Sequence, residues 1–96
     1  MQARSLAENI KDFISYFDAV AEKDPSCREN CVRAKELLED FLKKAEGRTF
    51  SKDDAYEFGG MLTKGIQDWA WPDPYAGEIR ERSAKALDIA YRETGA

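Results

Sequence analysis

Apolar residues recur at intervals of three and four along almost the whole chain, and no segment alternates with a period of two. No Asn-Gly or Asp-Gly dipeptide marks a hairpin. The spacing is helical throughout, so an all-α fold is expected. Its 96 residues suit one helical domain spanning 1–96, with a core of modest size.

Four helices are predicted. The first runs from about Ser5 to Asp24. In "SLAE" the Ser5 hydroxyl and the Glu8 carboxylate can each meet a free amide of the first turn, which is a capping box. Leu6, Ile10, Phe13, Ile14, Phe17 and Ala21 share one face, with Val20 at its edge. Pro25 disfavours helical geometry at Asp24 and ends the segment. A second capping box, Ser26 with Glu29, opens the next helix. Its inner face is Cys27, Cys31, Ala34, Leu38, Phe41, Leu42 and Ala45, and Gly47 is the expected left-handed cap.

The third helix starts after Ser51, with Asp53 and Asp54 at its positive end and Phe50 placed to pack back on the first turn. Ala55, Phe58, Gly59, Leu62, Ile66 and Trp69 share its face. Gly59, Gly60 and Gly65 each weaken it by roughly 1 kcal/mol relative to alanine, so a bend is expected there. The fourth helix runs from about Pro74 to Glu93, capped by Asp73 with Pro74 in its first position. Tyr75, Ile79, Ser83, Ala86, Leu87 and Ala90 form a face of mostly small residues, which allows close approach, with Gly59 as a complement. Short connections make successive helices antiparallel neighbours. The simplest architecture is an up-down-up-down four-helix bundle, and the alternative is an irregular orthogonal helical bundle.

Fifteen basic residues against 19 acidic ones leave a net charge of −4. That argues against nucleic acid or an anionic membrane as the main partner, because both require a basic footprint. It is compatible with a basic protein partner. The apolar runs are too short to cross a membrane. The start, "MQARSLAENIKDF", lacks the apolar stretch and small-residue cleavage site of a secretory signal, so a cytoplasmic location is expected.

The chain has no histidine, which removes the commonest general base and metal ligand. Cys27 and Cys31 are four residues apart on one helix, a spacing unlike a C-x-x-C redox or zinc motif and unsuited to a disulfide in a regular helix. Cys27, at a helix start, could be an activated thiol; the plainer reading is two small buried side chains. Glu36 with Glu39, and Asp54 with Glu57, superficially resemble the paired acidic motifs of all-α nucleotide pyrophosphohydrolases, with the acid types of the second pair reversed. That resemblance would imply a magnesium-dependent bundle enzyme. Helical phase opposes it: at 100° per residue, Glu36 and Glu39 lie roughly 110–170° from the centre of their apolar stripe, and Glu57 points outward too. Arg80, Arg82, Lys85 and Arg92 lie on the fourth helix, where a DNA-reading helix would carry them, but Glu78, Glu81, Asp88 and Glu93 are interleaved with them as in ordinary intrahelical pairing. No cofactor or metal site is expected.

The aromatic residues carry the remaining signal. "DWAWPDPY" sets Trp69 in phase with the third helix, whereas Trp71 is out of phase and is followed by Pro72. Trp and Tyr are preferred anchors of protein interfaces. The expected function is therefore a small acidic, non-catalytic module that binds and blocks or regulates a protein partner. Immunity proteins, antitoxins and phage-encoded inhibitors of host defence are analogues in size and charge. The candidate partner-binding residues are Trp71, Tyr75, Asp73 and Asp68, followed by Tyr56 and Glu57. A patch of this kind can also pair with a second copy of itself. The alternatives are a bundle enzyme or ligand binder using acidic residues or Cys27, and a DNA-binding regulator.

Overall fold

The computed structural model describes residues 5–96. Among them are four α-helices and no strand: α1 Leu6–Lys23, α2 Arg28–Glu46, α3 Lys52–Gly60 and α4 Tyr75–Thr94. They form two compact helical units, one ending at Thr49 and the other spanning Phe50–Ala96.

In the first unit α1 and α2 form a helical hairpin. The ion pair of Lys11 with Glu46, at 3.1 Å, joins the start of α1 to the end of α2, and Lys35 with Asp18 joins them further along. The helices are therefore antiparallel. Ser5 caps α1, accepting the Glu8 amide at 3.2 Å. Leu6, Ile10, Phe13, Phe17 and Val20 are buried, with Phe13 and Phe17 stacked at 5.1 Å. Val20 is thus a core residue, whereas Ile14 and Ala21 are only half-buried.

The start of the second helix differs from expectation. Pro25–Cys27 form a turn of 3₁₀-helix, and the cap is Asp24, not Ser26. The Asp24 carboxylate accepts the Ser26 amide at 3.2 Å and the Ser26 hydroxyl at 2.6 Å. Asp24 is extended, as the residue before a proline prefers to be, and an N-cap needs that geometry. Ser26 already lies inside the helical turn. Cys31, Ala34 and Leu38 are buried on α2, while Phe41, Leu42 and Ala45 are only half-buried.

The end of α2 also differs. Gly47 has right-handed geometry (φ −79°), and the left-handed residue is Arg48 (φ 57°). The Thr49 amide donates to the Lys44 carbonyl at 2.9 Å and the Arg48 amide to that of Ala45 at 3.3 Å. This is a Schellman motif, set one residue later than the glycine.

In the second unit the reciprocal cap of Ser51 and Asp54 is complete: the Asp54 amide donates to Ser51 Oγ at 3.2 Å, and the Ser51 amide to Asp54 Oδ2 at 2.9 Å. Phe50 packs edge-on against Phe58, further along α3 than its first turn. After Gly60 the chain widens into a π-helical turn, Met61–Gly65, then tightens into a 3₁₀ turn, Ile66–Asp68. The Thr63 hydroxyl donates to the Gly59 carbonyl at 2.8 Å within this bend. Helical geometry stops at Asp68, so Trp69, expected to extend the helical stripe, is extended instead (φ −71°, ψ 152°).

α4 lies antiparallel to α3. A Cβ added to Gly95 would approach Lys52 at 3.7 Å, and one added to Gly59 would meet the Tyr91 hydroxyl at 2.8 Å and Leu87 at 3.4 Å. Gly59 is thus the close-approach position expected of it. Asp73 does not cap α4. Pro74 stands at the cap position in a turn conformation, and the Tyr75 and Ala76 amides are met by the Pro72 carbonyl at 2.9 and 3.4 Å. Because a backbone carbonyl fills the position that the Asp73 carboxylate would occupy, that carboxylate is left exposed. Tyr75, Ile79, Ser83, Ala86 and Ala90 are buried along α4.

Candidate interaction surface

The loop from Trp69 to Pro74 is built on the end of the third helical segment. The carbonyl of Ile66, which a continuing helix would have engaged, accepts two donors: the Trp69 amide at 3.3 Å and the Trp71 indole Nε1–H at 2.7 Å. The second bond holds Trp71 beside Trp69, their ring centroids 6.4 Å apart and planes 29° from parallel. Both rings are half-buried, and Asp68, Pro72 and Asp73, their neighbours in sequence, are exposed.

The six predicted partner-binding residues do not converge. Trp71, Asp68 and Asp73 belong to this loop. Tyr75 does not join them at the surface: only 8% of its surface is accessible, so it is a core residue at the first turn of α4. Tyr56 and Glu57 lie elsewhere. Tyr56 is 61% exposed and its ring sits 6.2 Å from that of Tyr91, near the other end of α4. The 16 residues from Tyr75 to Tyr91 span about 24 Å of helix, at 1.5 Å each. The result is two separate aromatic spots.

Two contributors escaped the sequence reading. Trp69 stands beside Trp71 rather than in the helix core; the three glycines ahead of it were the available signal. Tyr91 partners Tyr56, and its position four residues after Leu87 placed it on the flank of the apolar face.

The remaining chemistry is sparse. Cys27 and Cys31 are free and buried. Burial pushes the Cys31 thiol up to about 11, reinforced by the negative potential of Cys27, Asp18 and Asp24. Lys35, bonded to Asp18, is held above its ordinary value chiefly by that hydrogen bond. Glu36, Glu39 and Glu57 are exposed, and Asp54 is engaged in its cap. Among the described residues no cluster of three or more Cys, Asp or Glu side chains is placed to hold a metal ion. Arg92 pairs with Asp88 one turn earlier on α4. Among the same residues no helix is long and apolar enough to cross a membrane. Comparison with protein-family models, curated proteins and solved structures finds no match to this chain. The fold and site define an all-α protein of two helical hairpins, the second bearing an aromatic loop with exposed acidic residues.

Proposed function

We propose that the protein is a non-catalytic interaction module that binds a protein partner through the loop between α3 and α4. The observation that supports this is the Trp69–Trp71 pair, half-exposed and locked by the bond from Trp71 to Ile66. An indole held in one place loses little conformational freedom when a partner closes over it, and tryptophan is the strongest of the interface anchors. Asp68 and Asp73 flank the pair in sequence and are exposed, and the net charge of −4 favours encounter with a basic surface. Tyr56 with Glu57 offers a second, separate contact. Occupying a partner's functional surface in this way would block or regulate it by exclusion, as immunity proteins, antitoxins and phage inhibitors of defence systems do.

Affinity capture from cells that naturally contain the protein tests the reading. Trp71→Ala and the exposed double reversal Asp68→Lys/Asp73→Lys should each lose the captured partner while circular dichroism still reports a folded helical protein. Retention of the same partner by both folded variants would refute the loop as the binding site.

A further inference from the structure

The aromatic spot at Tyr56 has a chemistry of its own. On α3, Asp53, Tyr56 and Gly60 follow at spacings of three and four and so share one face, and Lys64 stands about one turn further on, in the π-helical segment. All four are exposed, Tyr56 by 61%. The Tyr56 ring is steadied by that of Tyr91, 6.2 Å away. A Cβ built at Gly60 meets nothing within 4 Å, so bare backbone lies one turn from an exposed tyrosine. Among the described residues neither Asp53 nor Lys64 is engaged in an ion pair. The face therefore carries a knob beside a notch, with an acid at one end and a base at the other.

We propose that this face of α3 pairs with the same face of a second copy of the chain, antiparallel and about a two-fold axis. A two-fold contact is self-complementary: if one residue meets another across it, the reverse contact is made as well. With the axis crossing α3 between Phe58 and Gly59, Asp53 falls opposite Lys64 of the second copy, and Lys64 opposite Asp53, giving two ion pairs. The same operation sets Glu57 opposite Gly60 and leans each Tyr56 ring over the bare backbone at the other copy's Gly60. Parallel packing would set Asp53 on Asp53 and Lys64 on Lys64, so the charges select the antiparallel pair. The contact uses none of the residues of the Trp69–Trp71 loop and stands independently of the partner reading above. One short helical face is a small interface, and contacts that bury less than about 1,200 Å² are transient, so the dimer exchanges with monomer.

The test is sedimentation velocity of the full chain from about 10 μM to about 1 mM, the range in which a weak dimer forms. The sedimentation coefficient should rise with concentration, and less steeply at high salt. Tyr56→Ala should weaken association about tenfold. Asp53→Lys and Lys64→Asp should each weaken it about three- to tenfold. The double exchange Asp53→Lys/Lys64→Asp restores opposite charges across the axis and should recover most of that loss. Gly60→Leu should fill the notch and abolish the dimer while circular dichroism still reports the helices. Trp71→Ala should leave self-association unchanged. A chain that stays monomeric over the whole range would overturn the proposal, as would a dimer indifferent to Tyr56 and Gly60, or a charge exchange that fails to rescue. A monomeric chain whose capture of a cellular partner is lost in Tyr56→Ala would give this face to that partner instead. None of these results bears on the Trp69–Trp71 loop, which is tested separately by Trp71→Ala.

Discussion

The indole N–H of Trp71 donates to the backbone carbonyl of Ile66 across 2.7 Å, five residues back along the chain. One side chain thereby finishes a helix end and fixes the loop that follows. Trp71→Phe keeps an aromatic ring but removes the donor, leaving the carbonyl with the longer bond from Trp69 at 3.3 Å. A loss of about 1 kcal/mol in urea unfolding is expected, with the dependence on denaturant unchanged. No change in stability would mean that the bond contributes nothing net.

Arg48 occupies a left-handed conformation that costs an L-residue about 1–2 kcal/mol and costs glycine almost nothing. Arg48→Gly should raise stability by about 0.5–1 kcal/mol, since glycine also gains entropy in the unfolded chain. Arg48→Ala, which shares the steric penalty, should show no such gain. Thermal unfolding of the pair separates backbone geometry from loss of charge.

The glycines of the second unit should respond in opposite ways. An added Cβ meets nothing within 4 Å at Gly60 or Gly77, so alanine at either should stabilise by about 0.5–1 kcal/mol. At Gly59 the same Cβ would lie 2.8 Å from the Tyr91 hydroxyl, closer than real contacts allow. Gly59→Ala should therefore forfeit that gain and destabilise. In a Tyr91→Phe background, where the hydroxyl is absent, part of the loss should return, and a double-mutant cycle measures the coupling.

Ser83 is fully buried in α4 and its hydroxyl has no hydrogen-bond partner among the described residues. An unpaired buried hydroxyl opposes folding, and alanine is the better helix former. Ser83→Ala should stabilise by about 1 kcal/mol in denaturant melts. A destabilising result would show that the hydroxyl finds a partner in solution.

The raised Cys31 thiol implies a defined pH response. Its folded value of about 11 lies above the ordinary thiol value of 9.0, so the folded state holds the proton more tightly. The contribution to stability is complete below about pH 9 and is lost as pH rises from 9 towards 11. In Cys31→Ala the decline over that window should be shallower. Native-state labelling by a thiol reagent at pH 8 should be slow at Cys31 and accelerate on unfolding; fast labelling at that pH would contradict the burial.

Helix identity and most of the core were legible because they depend on neighbours in sequence. Ser5 and Ser51 each lie within one turn of the amide they accept, so both N-caps could be read directly, although the reciprocal bond expected from Glu8 is instead found from Asp54. The misreadings arose where two local signals competed. Ser26 with Glu29 and Asp24 before Pro25 both offered a helix start, and the extended backbone before the proline favoured Asp24. At the end of α2 the composition pointed to Gly47, but the hydrogen bonds of the last turn placed the left-handed residue at Arg48. At Asp73 a good capping side chain lost its role to the carbonyl of Pro72.

By itself the sequence determined an all-helical chain, the faces its helices bury, the weak point at Gly59–Gly65 and the absence of histidine chemistry. Helical phase already put Tyr75 on the inner face of the fourth helix; only the tertiary structure decided that Trp69 and Trp71 form a locked pair and that Tyr56 stands at a spot about 24 Å of helix away. The reason is that helical periodicity assigns a residue to a face only while the helix lasts. Where α3 opens into a π turn and stops at Asp68, that phase relation ends. The direction of the Trp71 ring is then set by the Ile66 carbonyl, which is left to receive its donor.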